Sequence, residues 1–402
     1  MTSKVSTKEA MELEAKYGAR NYKPIPVVIN KAEGVWVWDP EGKKYLDCLA
    51  AYSAVNQGHR HPKIIEATKK QLETLTLTSR AFYNDKMGMF LKHLCEISGM
   101  DMALPMNTGA EAVETGLKIA RRWGYQIKKI PDAQGEIIVA EENFHGRTTT
   151  IISFSTDPDA REGFGPYSPG FKVIPYNDAK ALEEAITEKT IAFLVEPIQG
   201  EAGVKIPDKG YLKAIREICT KKNVLLILDE IQSGFGRTGK MFAFEHEQIK
   251  PDILLVGKAL GGGVMPVSAA LAKKEIMAVI TPGSHGSTFG GNPLACAVAD
   301  AALDVLVDEK LSERSTELGA YFLEQLKAIH CPLFKEVRGK GLWLAIELKE
   351  EAGPARKFTE ALKEKGVLAK ETHVHTIRFA PPLVITKEEL DWAISRIKEV
   401  FS

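Results

Sequence analysis

Short, continuous apolar runs alternating with amphipathic stretches constrain this chain more than any other feature. Glu136 to Ala140, Ile191 to Glu196, Val224 to Asp229 and Asp252 to Gly257 are strand-sized and lack the regular polar alternation of a half-exposed strand. Stretches with helical spacing, such as Gly109 to Trp123 and Gly210 to Lys222, separate them. Strands buried on both faces and joined by helices predict an α/β fold built on a mostly parallel sheet. At 402 residues the chain exceeds what one hydrophobic core usually serves, so a second domain is expected. After about Leu306 the order reads helix, strands between Val337 and Leu348, helix, strand from Thr376 to Ala380, helix. Small antiparallel strands are expected around Glu33-Gly34 and the turn Pro40-Glu41-Gly42. The expected division is an N-terminal segment, 1–50, that joins a smaller α/β domain, 306–402, around a large domain, 51–305.

Lys plus Arg and Asp plus Glu both total 53, so no net charge argues for nucleic acid or an anionic membrane as partner. Five scattered cysteines, with no CxxC pair, fit reduced thiols. The first residues, MTSKVSTKEAMELEAKYG, have no apolar core of a secretion signal, and no apolar run reaches membrane-spanning length. A cytoplasmic location is expected. His59 and His61 lack a third ligand in view and read as loop structure, so no metal is expected.

In open α/β sheets ligands bind beyond the carboxyl ends of strands. Asp229 closes one apolar run, Lys258 follows another, and Glu196 and Glu201 follow a third. A lysine there either snorkels to water or, desolvated, becomes a nucleophilic amine. Asp229 alone could equally cap a helix or bind a metal. Together with a phosphate cradle they are the parts a pyridoxal phosphate (PLP) site requires: an amine for the aldehyde and a carboxylate for the ring nitrogen. Asn107-Thr108-Gly109-Ala110 opens a helix whose free N–H groups suit a dianion, or Thr108 is simply its N-cap. Gly286 to Pro293 is a second phosphate candidate or an ordinary turn. GFGRTG, Gly234 to Gly239, imitates a dinucleotide fingerprint, but five residues separate it from its strand and no apolar helix follows.

LDEIQSGFGRTG followed by PDILLVGKALGGGVMPVSA resembles the class III, fold-type I PLP-dependent aminotransferases. NYKPIPVV, YSAVNQGHRHPKI, LTLTSRAFYN, PMNTGAEA, VEPIQGEAG, HGSTFGGNP, VRGKGL and IRFAPPLVI extend the resemblance over nearly the whole chain. It implies Lys258 as the Schiff-base lysine and Asp229 as the pyridinium partner. By the same resemblance Gln232 would bond the phenolic oxygen, Phe144 and Ile231 would cover the ring, and Gly109 and Ala110 would hold the phosphate. Ser287 and Thr288 would reach the phosphate of a neighbouring subunit, making a homodimer with active sites at its interface.

The resemblance further implies transfer of the δ-amine of ornithine to 2-oxoglutarate, yielding glutamate 5-semialdehyde, which cyclises to pyrroline-5-carboxylate. Arg147 would grip ornithine's carboxylate, Tyr22 its α-amine, and Tyr52 would select against shorter ω-amino acids. Arg378 would bind the α-carboxylate of 2-oxoglutarate, and Glu201 would neutralise Arg378 during the other half-reaction. Arginine's planar fork matches carboxylates, and a Glu–Arg pair that opens and closes is a plausible two-state gate. The role of His145 stays open. The rivals are another ω-aminotransferase (acetylornithine, 4-aminobutyrate or lysine), glutamate 1-semialdehyde aminomutase, and a binding protein that kept the fold without its chemistry. Tyr22 argues against acetylornithine, and intact Lys258 and Asp229 argue against a binding protein.

Overall fold

The computed structural model describes residues 5–402. Its centre is a seven-stranded sheet with strands in the order Met102–Met106, Ser268–Ala272, Ile253–Val256, Leu225–Asp229, Thr190–Val195, Glu136–Ala140 and Phe171–Ile174. Neighbours are parallel throughout except that Ser268–Ala272 runs antiparallel to both of its partners. The four apolar runs of the sequence are its middle, and every residue of Thr190–Val195 and Leu225–Asp229 is buried. Successive side chains feed two cores. Leu225 and Ile227 join the one under helix Gly109–Gln126, while Leu226 and Leu228 join the other, with Leu212 and Ile215 of helix Tyr211–Lys221.

Three strands of this sheet were not expected. Ser268–Ala272 has one large apolar residue and no β-branched one, so it carries little strand propensity. Met102–Met106 contains Pro105, which an edge strand tolerates, and Phe171–Ile174 forms the opposite edge with two exposed residues.

Two smaller sheets flank the first. Phe334–Lys340, Trp343–Leu348, Thr376–Phe379 and Lys370–Thr372 form an antiparallel sheet. Lys31–Glu33, Trp36–Trp38 and Lys44–Asp47 form the expected N-terminal meander, and Val367–Leu368 adds to it in parallel with Lys44–Asp47. Helices Leu311–Lys327, Arg356–Glu364 and Lys387–Phe401 pack here, in the order expected. Among the described residues no helix is long and apolar enough to cross a membrane. His59 pairs with Asp47 at 2.8 Å and His61 with Glu309 at 2.9 Å. GFGRTG is a series of turns in which Arg237, fully buried, donates to the carbonyls of Leu342 and Pro381.

Candidate active site

The carboxyl edge of the large sheet gathers the predicted residues. Asp229 is the last residue of its strand and is 5% exposed. One of its carboxylate oxygens accepts from the amide of Ile231 at 3.0 Å, and the other from Nδ1 of His145 at 2.6 Å. His145 is buried, which works against its charged form, yet the bond and charge of Asp229 outweigh this and raise its pKa. Its Nε2 is buried without a partner.

Lys258 stands two residues beyond Ile253–Val256, at φ +47°, in a left-handed conformation that turns it away from the strand direction. Burial lowers its pKa, against the opposing pull of Glu201, Asp229 and Glu196. The snorkelling alternative therefore gives way to an amine that lines a cavity together with Asp229 and Glu196. That cavity, about 200 Å³, is lined by Gly109, Ala110, Phe144, Asp229, Ile231, Gln232 and Lys258, together with His145 and Glu196. A larger one, of about 940 Å³, lies by the N-terminal meander and contains none of these groups.

The helix opening shows how a dianion would be held. Thr108 caps Gly109–Gln126 by accepting from the amide of Glu111, while Glu111's carboxylate accepts from the amides of Thr108 (2.7 Å) and Asn107 (3.0 Å). Among the described hydrogen bonds this leaves the amides of Gly109 and Ala110 free at the positive end of an 18-residue helix. A Cβ on Gly109 would come within 3.2 Å of Ile231, so glycine lets the loop close over that side chain. N-cap and phosphate cradle are thus compatible readings of one loop. Together with the acid at Asp229, the amine at Lys258 and the apolar side chains of Phe144 and Ile231 in its lining, the cavity fits PLP.

A second cavity of about 240 Å³ shares Phe144, His145 and Gly146 with the first and is lined by Arg147, Glu201 and His373. Arg147 is exposed, its guanidinium 5.8 Å from the Phe144 ring centroid. Arg378, 2% exposed, donates to Glu201 at 2.7 Å and to the carbonyl of Gly200 at 3.2 Å. Burial resists charge on Glu201, but Arg378 holds its carboxylate below the usual range. Arg378 also lies 5.4 Å over the ring of Tyr52. Tyr52 belongs to four consecutive left-handed residues, Ala50 to Ser53, whose entrance is held by the Asp47 carboxylate accepting from the amides of Leu49 and Ala50. Tyr22 remains 78% exposed. Ser287 and Thr288 do not line either cavity of their own chain. Ser287 accepts from Asn107 Nδ2 at 2.9 Å, and Thr288 is exposed.

Two site residues had no assigned role. His145 is the hydrogen-bond partner of Asp229. Glu196, visible in the sequence only as a strand-end acid, accepts from the amide of Phe144 at 3.0 Å, and burial pushes its pKa up to about 7.

A lysine and a buried acid at the carboxyl edge of this sheet, under a helix that offers free amides, define a fold-type I PLP-dependent enzyme. The family model for class-III aminotransferases matches residues 17–401, and the chain belongs to that family, whose members are PLP-dependent transaminases. It is 62% identical to ornithine aminotransferase of Brevibacillus brevis over 98% of both chains. Among solved structures it resembles ornithine aminotransferase from Toxoplasma gondii, at TM-score 0.98 and 48% identity over 99% of this chain and 95% of that one. It also resembles acetylornithine aminotransferase from Elizabethkingia anophelis, at TM-score 0.91 and 55% identity over 98% and 99%.

Proposed function

We propose that this enzyme moves the δ-amino group of L-ornithine to 2-oxoglutarate, in two half-reactions that share one site. The observation that carries the reading is the Arg378–Glu201 pair, buried over Tyr52 beside a cavity that Arg147 also lines. A donor with one carboxylate needs one free arginine, and an acceptor with two needs both. With Glu201 engaged, Arg378 is neutralised and Arg147 alone receives the carboxylate of ornithine. When 2-oxoglutarate enters, its carboxylates take Arg147 and Arg378, and Glu201 must move aside.

Gly109 and Ala110 would hold the cofactor's phosphate, Phe144 and Ile231 its ring faces and Gln232 its phenolic oxygen. PLP bound there supplies an aldehyde for the amine and a ring that withdraws the electron pair left on the neighbouring carbon. Asp229, fixed by His145, would keep a proton on the ring nitrogen. Lys258, with its amine below the ordinary lysine range, would take a proton at Nζ from the carbon that bears the transferred nitrogen and return it to the former aldehyde carbon on the other side of that nitrogen.

The domain division at 1–50, 51–305 and 306–402 is supported by the pairing of Lys44–Asp47 with Val367–Leu368, and its second boundary falls near the end of helix Pro293–Asp308. A homodimer is supported by the exposure of Leu75, Leu77, Phe82, Tyr83, Met89 and Phe289. In it Ser287 and Thr288 would serve the partner's phosphate. Five unpaired thiols favour the reducing cytoplasm.

Steady-state rates with 2-oxoglutarate and ornithine, N-acetylornithine or 4-aminobutyrate test the reading. Ornithine is expected to have the highest kcat/KM. N-acetylornithine is the second candidate, because of the likeness to the Elizabethkingia enzyme. Turnover of it, but not of ornithine, would overturn the proposal.

A further inference from the structure

Tyr22, which the family resemblance sets against the α-amine of ornithine, is carried by no helix or strand, since residues 18 to 30 have neither. Within Gly18 to Pro26, the described hydrogen bonds that reach the rest of the fold come from two cations of one helix, Arg356–Glu364. Arg356 Nη1 donates to the carbonyl of Lys23 at 3.0 Å, Nη2 donates to the carbonyl of Pro24, and Lys363 donates to the carbonyl of Pro26 at 3.4 Å.

The guanidinium is itself fixed. Its Nε donates to Glu360 at 2.8 Å and its Nη1 to Glu371 at 3.0 Å. Glu371 also accepts from Lys370 at 2.6 Å and from Thr359 at 3.0 Å. Burial works against that carboxylate, but these donors bring its pKa down to about 2, so the seat stays anionic at any working pH.

Glu371 lies in Lys370–Thr372, the strand that pairs with Thr376–Phe379 and sets Lys370 opposite Arg378. The next residue, Thr372, donates from its hydroxyl to the carbonyl of Glu201. One three-residue strand therefore anchors both the clamp on the Tyr22 segment and the backbone of the Glu201–Arg378 pair.

We propose that Arg356 is a positioning residue for donor selection: by holding the carbonyls of Lys23 and Pro24 it fixes where Tyr22 stands. It thereby sets the preference for a donor with an α-amine over the same chain without one. The inference rests on the reading of Tyr22 given above.

Ornithine and 5-aminopentanoate, which differ only in the α-amine, are the probes. In Arg356→Gln the ratio of kcat/KM for ornithine to that for 5-aminopentanoate is expected to fall about tenfold, the scale of one lost polar contact. The fall should come through KM for ornithine with kcat nearly kept. Trypsin cleavage after Arg20 should quicken, while Arg356→Lys, which keeps a donor, should restore part of the ratio. If Arg356→Gln does not fold, Glu371→Gln removes the anionic seat and carries the same expectation. A loss shared equally by both donors, or an unchanged ratio, overturns the proposal. Tyr22→Phe separates the two ideas. If it leaves the ratio intact, the reading of Tyr22 fails and the clamp with it. If it lowers the ratio while the Arg356 variants do not, the clamp alone fails.

Discussion

At the scale of single residues, His145 tests how the site keeps its acid in place. The side chain supplies one of two hydrogen bonds to Asp229, the other coming from a backbone amide. His145→Phe retains a ring that can pack near Phe154, whose centroid lies 6.0 Å away, but leaves a buried acceptor short. Leaving such a group unsatisfied costs about 1–3 kcal/mol, so kcat/KM should fall roughly 10- to 100-fold. Because the folded pKa of His145 is raised, its stabilising contribution is full below the ordinary histidine value and is lost as pH rises through the raised one. The gap in unfolding free energy between wild type and variant should therefore narrow, without closing, as pH rises past the ordinary histidine value, and a constant gap would count against the ion pair. Lys258 and Asp229 were legible in the sequence because an apolar strand announces what stands at its end. His145 was not, since nothing in Phe144-His145-Gly146-Arg147 says that the imidazole folds back onto a strand more than eighty residues later.

Among the elements, the turn after Asp229 is held by an acid of its own. Glu230 is fully buried and accepts from the amides of Ala243 and Phe244, each at 2.8 Å, and from the hydroxyl of Ser233 at 2.7 Å, fixing the 3-10 helix Ala243–Glu247. Burial nevertheless pushes its pKa up to about 7. A carboxyl raised in the folded state adds no pH dependence below its unfolded pKa, then costs stability progressively as pH climbs to the folded value. Between roughly pH 4.5 and 7 the unfolding free energy of wild type should drop relative to Glu230→Gln, by at most about 3 kcal/mol. A difference independent of pH would sink this account. The elements also mark where sequence reading stopped. Val, Ile and Leu runs announced the central strands, whereas Ser268–Ala272 is made of small residues that reveal a strand only once two neighbours are in place.

The molecule as a whole exposes apolar side chains that water does not favour. Tyr83 is 98% exposed, Phe82 70%, Met89 63% and Phe289 52%, more large apolar surface than isolated exposed residues explain. Phe289 follows Ser287 and Thr288, the pair expected to serve a neighbour, so assembly and cofactor binding should fail together. Tyr83→Asp combined with Phe82→Asp is expected to shift sedimentation from dimer to monomer and to weaken PLP affinity. A fully dimeric double variant would rule out this face as the interface. Such a face was hard to see in the sequence because LTLTSRAFYN reads the same whether it covers a core or a second copy.

The parallel pairing of Lys44–Asp47 with Val367–Leu368 has a consequence for synthesis. Leu46 and Cys48 donate to the carbonyls of Gly366 and Leu368, and Cys48 accepts from the amide of Ala380. A chain emerging from the ribosome makes the first of these partners early and the second only when nearly finished. Its opening meander must therefore wait with an unpaired edge, the kind of edge that pairs wrongly with other nascent chains. Transcripts cut short before codon 366 should yield protein that aggregates even with the large sheet complete.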